Sequence, residues 1–366
     1  MKNNRITVIY GDRPKEMTLS LLKETGLIRD IPKGAKIGIK PNLVNTTPPE
    51  HGATTHSEIV EGIVEYLQEA GFSDITILEG SWTGASTKEA FRKLGYEKIA
   101  EKYGVGLIDT KKGPFEKKTY SGITMEICRT ALELDHLIDV PVLKGHCQTL
   151  MTGALKNMKG LISDGEKRRF HSMGLHKPIA YLNGIIKADF CVVDGICGDL
   201  DFEDGGNPVK MNRMFCCKDP VLTDSYIASL MGYRTDEIGY LSLAGALKIG
   251  STDLESAEIV ELNRDEIKTA PSPSRIVREL SEYIDENDSC SSCYANLIQA
   301  LMRLKDSGEI NRFGKAGIAI GQGFRGKALS CPGIGNCTSS FSSHVPGCPA
   351  KTLDILEYLK NYFPQT

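Results

Sequence analysis

Five of the chain's eleven cysteines crowd its last fifth, in CSSC at 290–293, CPGIGNC at 331–337 and HVPGCP at 344–349. Four thiolates brought to one point are what a 4Fe-4S cluster requires, and Gly and Pro beside them let backbone wrap closely around a bulky group. The ligand set this spacing points to is Cys290, Cys293, Cys337 and Cys348, with Cys331 as a fifth candidate able to replace Cys337. The same four sulfurs would suit zinc in a tetrahedral site. A redox disulfide or unligated buried thiols are the remaining readings.

A second group of residues able to do chemistry lies mid-chain. Lys144-Gly145-His146 ends an apolar run, and TGALKNMKG at 152–160 follows with Lys156, Asn157 and Lys159. Lysine supplies a point charge for an anion, and asparagine a donor and an acceptor to orient a carbonyl. Histidine exchanges a proton near neutral pH or ligates a metal, which makes His146 and His171 acid–base candidates beside Lys156. No HExxH pattern supports a histidine metal site. Upstream, Lys40, Asn42, Thr54, Thr55 and His56 join the expected anion-binding residues, with backbone N–H groups at a helix start helping to hold the charge. The acidic run GDLDFEDGGNP at 198–208 lacks calcium-loop spacing and reads as a solvated turn, and Lys167-Arg168-Arg169 reads equally as solvated loop charge.

The elements that must position these residues alternate. Apolar strands are expected at 6–10, 35–39, 74–78, 105–108, 137–143, 188–193 and 317–320. Between the early ones lie helical patterns, the clearest from Ser57 with Ile59, Ile63, Val64 and Leu67 on one face. That alternation predicts an α/β protein of mostly parallel sheets flanked by helices, with a C-terminal cysteine-rich cluster-binding module. Ligands of such sheets gather at the carboxyl ends of strands, where Lys40, Asn42, Glu79 and Lys144 fall. TAPSPSR at 269–275 is the clearest linker. It divides an α/β body over 1–268, of one lobe or of two around a central cleft, from an iron–sulfur module over 269–366 packed on that body.

Composition narrows the partners. With 44 basic and 47 acidic residues the net charge is −3, which argues against nucleic acid as the main partner. No apolar stretch reaches membrane-spanning length and the N-terminus has no signal-peptide pattern, so a cytoplasmic location is expected. Eleven cysteines there suggest ligands or buried small hydrophobes before disulfides.

KPNL at 40–43, TTH at 54–56, KGH at 144–146, TGALKNMKG at 152–160, VDG at 193–195 and DPVLTDSY at 219–226 together resemble domain of unknown function three-six-two, a family of iron–sulfur centre proteins. The likeness spans roughly residues 35–235 and implies an α/β body with a cysteine-bearing extension, without a settled reaction. The family is similar in layout to nickel-dependent lactate racemase, which uses histidine acid–base groups and a lysine-tethered nickel cofactor. His146, Lys156 and His171 are the matches this suggests, but they lie outside that enzyme's motifs, so neither cofactor nor reaction carries over.

Together these features predict an iron–sulfur redox or electron-transfer protein, an oxidoreductase if an anionic small molecule binds in the cleft. An electron-donor or -acceptor protein is then its second partner. The alternatives are a non-redox, racemase-like or metal-assisted enzyme with a structural cluster, and a zinc-stabilised anion-binding protein.

Overall fold

The computed structural model describes residues 2–205, 207–263 and 276–362. The 269–275 linker segment therefore lies outside the described residues. The chain divides into two compact units, one of Met1–Arg168 with His176–Pro273 and one of Arg169–Leu175 with Ser274–Thr366.

In chain order the strands of the first unit are β1 (Arg5–Tyr10), β2 (Ile37–Pro41), β3 (Ile75–Glu79), β4 (Gly106–Asp109), β5 (Phe115–Tyr120), β6 (Ile123–Cys128), β7 (His136–Val140), β8 (Lys144–His146), β9 (Leu150–Thr152), β10 (Phe190–Asp199), β11 (Pro208–Cys217) and β12 (Glu258–Glu261). Eight of them form one sheet in the order β12-β1-β11-β10-β7-β2-β3-β4. The run from β10 to β4 is parallel, whereas β11 lies antiparallel to both β1 and β10. Two antiparallel ribbons, β5–β6 and β8–β9, stand beside the sheet. The fold is thus α/β with mixed pairing, less uniformly parallel than expected.

β2 is buried at all five positions, as a strand covered on both faces must be. The helix Ser57–Glu69 lays Ile59, Val60, Ile63, Val64 and Leu67 into the same core as Ile37 and Ile39. The helix Pro14–Thr25 joins that core through Met17, Leu21 and Leu22, and Gly26 ends it in the left-handed region with its N–H on the Leu22 carbonyl. Residues 150–152 form a strand, and a short helix begins only after Gly153.

Because β10, β7, β2 and β3 run parallel as neighbours, their carboxyl ends share one edge. The register sets Lys40 opposite Asp139 and Pro41 opposite Val140 there. Glu79 ends β3, and Asp194 bridges to Val142 just past β7.

In the second unit β13 (Ile284–Glu286), β14 (Ile318–Ile320), β15 (Gly333–Ile334) and β16 (His344–Val345) form a parallel four-stranded sheet. The helices Ser291–Asp306 and Thr352–Tyr362 pack together in it, burying Leu297, Leu301, Ile355 and Leu359. Among the described residues no helix is long and apolar enough to cross a membrane.

Candidate functional site

The shared strand edge of the first unit holds a buried polar network. Lys40, fully buried, donates to Glu79 Oε2 at 2.9 Å and to the Pro41 carbonyl at 2.9 Å. Glu79 also accepts the N–H groups of Leu43 and Gly80. A buried ion pair needs such additional partners to offset its desolvation. Lys40 is therefore neutralised inside the protein and serves as scaffold. Asn157 joins the strands: its Nδ2 donates to Asp139 Oδ1 at 2.7 Å, and its Oδ1 accepts from Asn42 Nδ2 at 2.9 Å. Burial holds the Asp139 carboxyl well above the usual carboxylate range. Thr55 ties the Asn42 N–H to the Val140 carbonyl, and Thr54 donates to the Thr47 carbonyl.

His56 pairs through Nδ1 with Asp194 Oδ2 at 2.8 Å. Burial opposes its charge, but the carboxylate outweighs burial and raises the imidazole above its ordinary value.

Next to this scaffold, cationic groups surround Glu203. Lys156 Nζ lies 2.6 Å and His146 Nε2 2.9 Å from the same oxygen, Glu203 Oε2. Lys144 donates to the Glu203 carbonyl at 2.8 Å, to Asn42 Oδ1 at 3.0 Å and to the Ala53 carbonyl. Burial pushes Lys144 down to about 7, yet all three of its protons are engaged, so it acts as an anchor. Burial and the neighbouring Lys156 charge push Lys159 down to about 7 as well, which leaves a share of it unprotonated at neutral pH.

His146 has a fixed tautomer. Its Nδ1 faces the backbone N–H groups of Gln148 at 3.0 Å and Thr149 at 3.1 Å, and two donors require a lone pair there. The proton therefore sits on Nε2, which points at Glu203 but out of line for a hydrogen bond, so this buried donor is left unsatisfied. Burial pushes the imidazole down to about 4. His146 is a neutral donor at neutral pH and does not titrate there.

Glycines of two motifs allow the close approaches. A Cβ at Gly145 would sit 2.3 Å from the Leu200 carbonyl oxygen, so only glycine lets the 200–203 backbone lie against β8. A Cβ at Gly153 would sit 2.1 Å from Asp224 Oδ1, the carboxylate that accepts the N–H groups of Ala154 and Leu155 and so starts the turn carrying Lys156 and Asn157.

Lys40, Asn42, Thr55, Lys144, His146, Lys156 and Asn157 thus share one network. His171 lies in the segment Arg169–Leu175, which groups with the second unit. Two residues of the site were missed by sequence reasoning. Glu203, read as part of a solvated turn, is half-buried among cations. Lys167, read as solvated charge, is buried with Nζ on the carbonyls of Gly80 and Ser81 and is pushed down to about 8 by burial. Spacing carries no sign of either. The one available hint is that several buried cations demand a buried anion.

In the second unit Cys290, Cys293, Cys337 and Cys348 all line one small cavity, together with Gly321, Gly335 and Gly347. Cys331 does not line it and packs instead against Phe324 and Phe341. The Cys293 thiol donates to Cys290, which holds Cys290 down to about 6 and raises Cys293. The Ala350 N–H points at Cys293 Sγ from 3.4 Å. Among the described residues no group of three or more His, Cys, Asp or Glu is arranged to hold a metal ion. The expected cluster-binding module is thus not resolved as such: the four cysteines line one cavity without a formed coordination site.

Residues 37–229 match the family described as Domain of unknown function (DUF362). The chain belongs to the DUF362 family. That span holds every member of the Glu203 network and none of the four cavity cysteines. A thylakoid-associated protein of Synechocystis sp. is 24% identical over 146 residues, 40% of this chain and 45% of the relative, so the chain spans under half of that relative's length. Among solved structures, this DUF362 protein is distantly similar to the lactate racemase apoprotein of Thermoanaerobacterium thermosaccharolyticum, with 19% identity, a TM-score of 0.38 and coverage of 54% of this chain and 52% of that one. A Thermotoga maritima protein is similar at 18% identity and a TM-score of 0.34, covering 50% of this chain and 51% of that one.

Proposed function

We propose that this protein is a non-redox, racemase-like acid–base enzyme acting on a small anionic molecule in its first unit. The observation that carries this reading is the convergence of Lys156 Nζ and His146 Nε2 on one carboxylate oxygen, with Lys159 close enough to feel both Lys156 and Glu203. Two positioned donors, one cationic and one neutral, are what stabilises charge developing on a substrate oxygen. A lysine that is partly unprotonated near neutral pH suits the removal of a proton from the adjacent carbon. Lys156 and His146 then hold the oxygen, Lys159 takes and returns the proton, and Lys144, Asn42 and Asn157 keep the geometry.

The test is exchange of solvent deuterium into the C2 position of a panel of 2-hydroxy and 2-amino carboxylates and their phosphorylated analogues, followed by proton NMR. Exchange is expected for at least one member and is expected to vanish in Lys156→Met and Lys159→Met. Exchange that survives both substitutions overturns the assignment.

A second reading, an iron–sulfur electron carrier, is favoured by the cysteine-lined cavity. The donor set suits a 4Fe-4S cluster held by Cys290, Cys293, Cys337 and Cys348, with three glycines keeping side chains out of the cavity and an N–H directed at one sulfur. Such a cluster would supply one-electron transfer or structural bracing. Zinc would use the same sulfurs. Iron and sulfide analysis of anaerobically purified protein separates the two, and one equivalent of zinc without sulfide would end the cluster reading.

A further inference from the structure

We propose that the Glu203 carboxylate is an internal stand-in for a substrate carboxylate, and that a carboxylic acid binds by displacing it from Lys156 and His146. The proposal rests on the anion-site reading above and adds the substrate's chemical class and a built-in competitor.

Three observations carry it. The backbone around Glu203 is held independently of its side chain: Asp199 Oδ1 accepts the N–H groups of Asp201 and Phe202, Lys144 takes the Glu203 carbonyl, and Gly145 receives the Leu200 carbonyl at close range. The side chain alone can therefore leave by rotation. That side chain is 32% exposed while its partners His146 and Lys156 are 1% and 7% exposed, so it forms the solvent side of an otherwise buried cationic cluster. Finally, His146 Nε2 carries a proton that Glu203 meets at 2.9 Å but out of line, leaving a buried donor unsatisfied. A tethered carboxylate that satisfies Lys156 and misses His146 marks a place where a free carboxylate could bond both.

An internal competitor weakens apparent affinity in proportion to the fraction of molecules in which the pocket is vacated. If that fraction is about one tenth or less, removing the competitor tightens binding about tenfold or more. The experiment titrates wild-type protein, Glu203→Ala and Glu203→Ala/Lys156→Met with acetate and, separately, with inorganic phosphate, while the His146 Nε2–H resonance is followed by NMR. Acetate is expected to bind Glu203→Ala at least tenfold more tightly than wild type, to shift the His146 Nε2–H signal, and to lose this gain in the double variant. Equal acetate affinity in wild type and Glu203→Ala, lost on removing Lys156, overturns the stand-in and leaves the anion site intact. Phosphate binding Glu203→Ala more tightly than acetate overturns the carboxylate class alone. No binding of either anion to Glu203→Ala overturns the anion-site reading and the stand-in together. Should Glu203→Ala fail to fold, Glu203→Gln keeps the shape without the charge and is expected to show the same ordering of affinities.

Discussion

His146 offers a direct check on the site because its two nitrogens are assigned opposite tasks. Its Nδ1 accepts two backbone N–H groups, so protonating it would set three donors against one another in a buried place. Burial, aided by the nearby Lys156 charge, lowers the imidazole from 6.5 to about 4. In the unfolded chain the ring gains a proton as pH drops through about 6.5, while in the folded protein it stays neutral until about 4. Between those values the unfolded state binds more protons, so stability falls as pH falls. At about 1.4 kcal/mol per pH unit, the interval amounts to about 3 kcal/mol lost between pH 7 and pH 4. Urea unfolding across that range, compared with His146→Gln, isolates this contribution, and the variant is expected to lose correspondingly less. Long-range proton–nitrogen NMR on labelled histidine should show a protonated Nε2 and a bare Nδ1 at pH 7, unchanged at pH 5. A midpoint near 6.5, or a proton on Nδ1, would refute the tautomer and with it the role of Nε2 as donor.

Three other predictions test the scaffold and the cysteines. Lys40→Met leaves Glu79 charged and buried and should cost about 3–5 kcal/mol in urea unfolding, while Lys40→Met/Glu79→Gln should recover more than half; equal losses would show that the pair is not coupled. Gly153→Ala sets a methyl against Asp224 and should lower stability by about 1–3 kcal/mol, seen as a reduced melting temperature. After anaerobic reconstitution with iron and sulfide, broad visible absorption should form in wild type and in Cys331→Ser and be lost in Cys293→Ser or Cys337→Ser. Loss in Cys331→Ser would instead make that cysteine a ligand.

Much of the scaffold was legible because it is local. The apolar runs at 35–39, 74–78 and 137–143 announce strands, the spacing of Ile59, Ile63, Val64 and Leu67 announces a helix, and strand exits mark where Lys40, Asn42 and Glu79 stand. Pairing direction is a long-range property. The sheet is mostly parallel as read, but the pattern PVKMNRMFCC does not say that β11 runs antiparallel between β1 and β10.

The sequence by itself determined the α/β alternation and the motif lysines and asparagines at strand exits, because each follows from periodicity or spacing within a few turns of chain. Only the tertiary structure decided which charges meet. Glu203 is 47 residues from Lys156 and 57 from His146, and its role depends on a backbone approach at Gly145 that no local pattern encodes. Burial then sets the chemistry: among exposed loops the same lysines, histidine and glutamate would be ordinary solvated charges, whereas out of water each must find a partner or give up its charge.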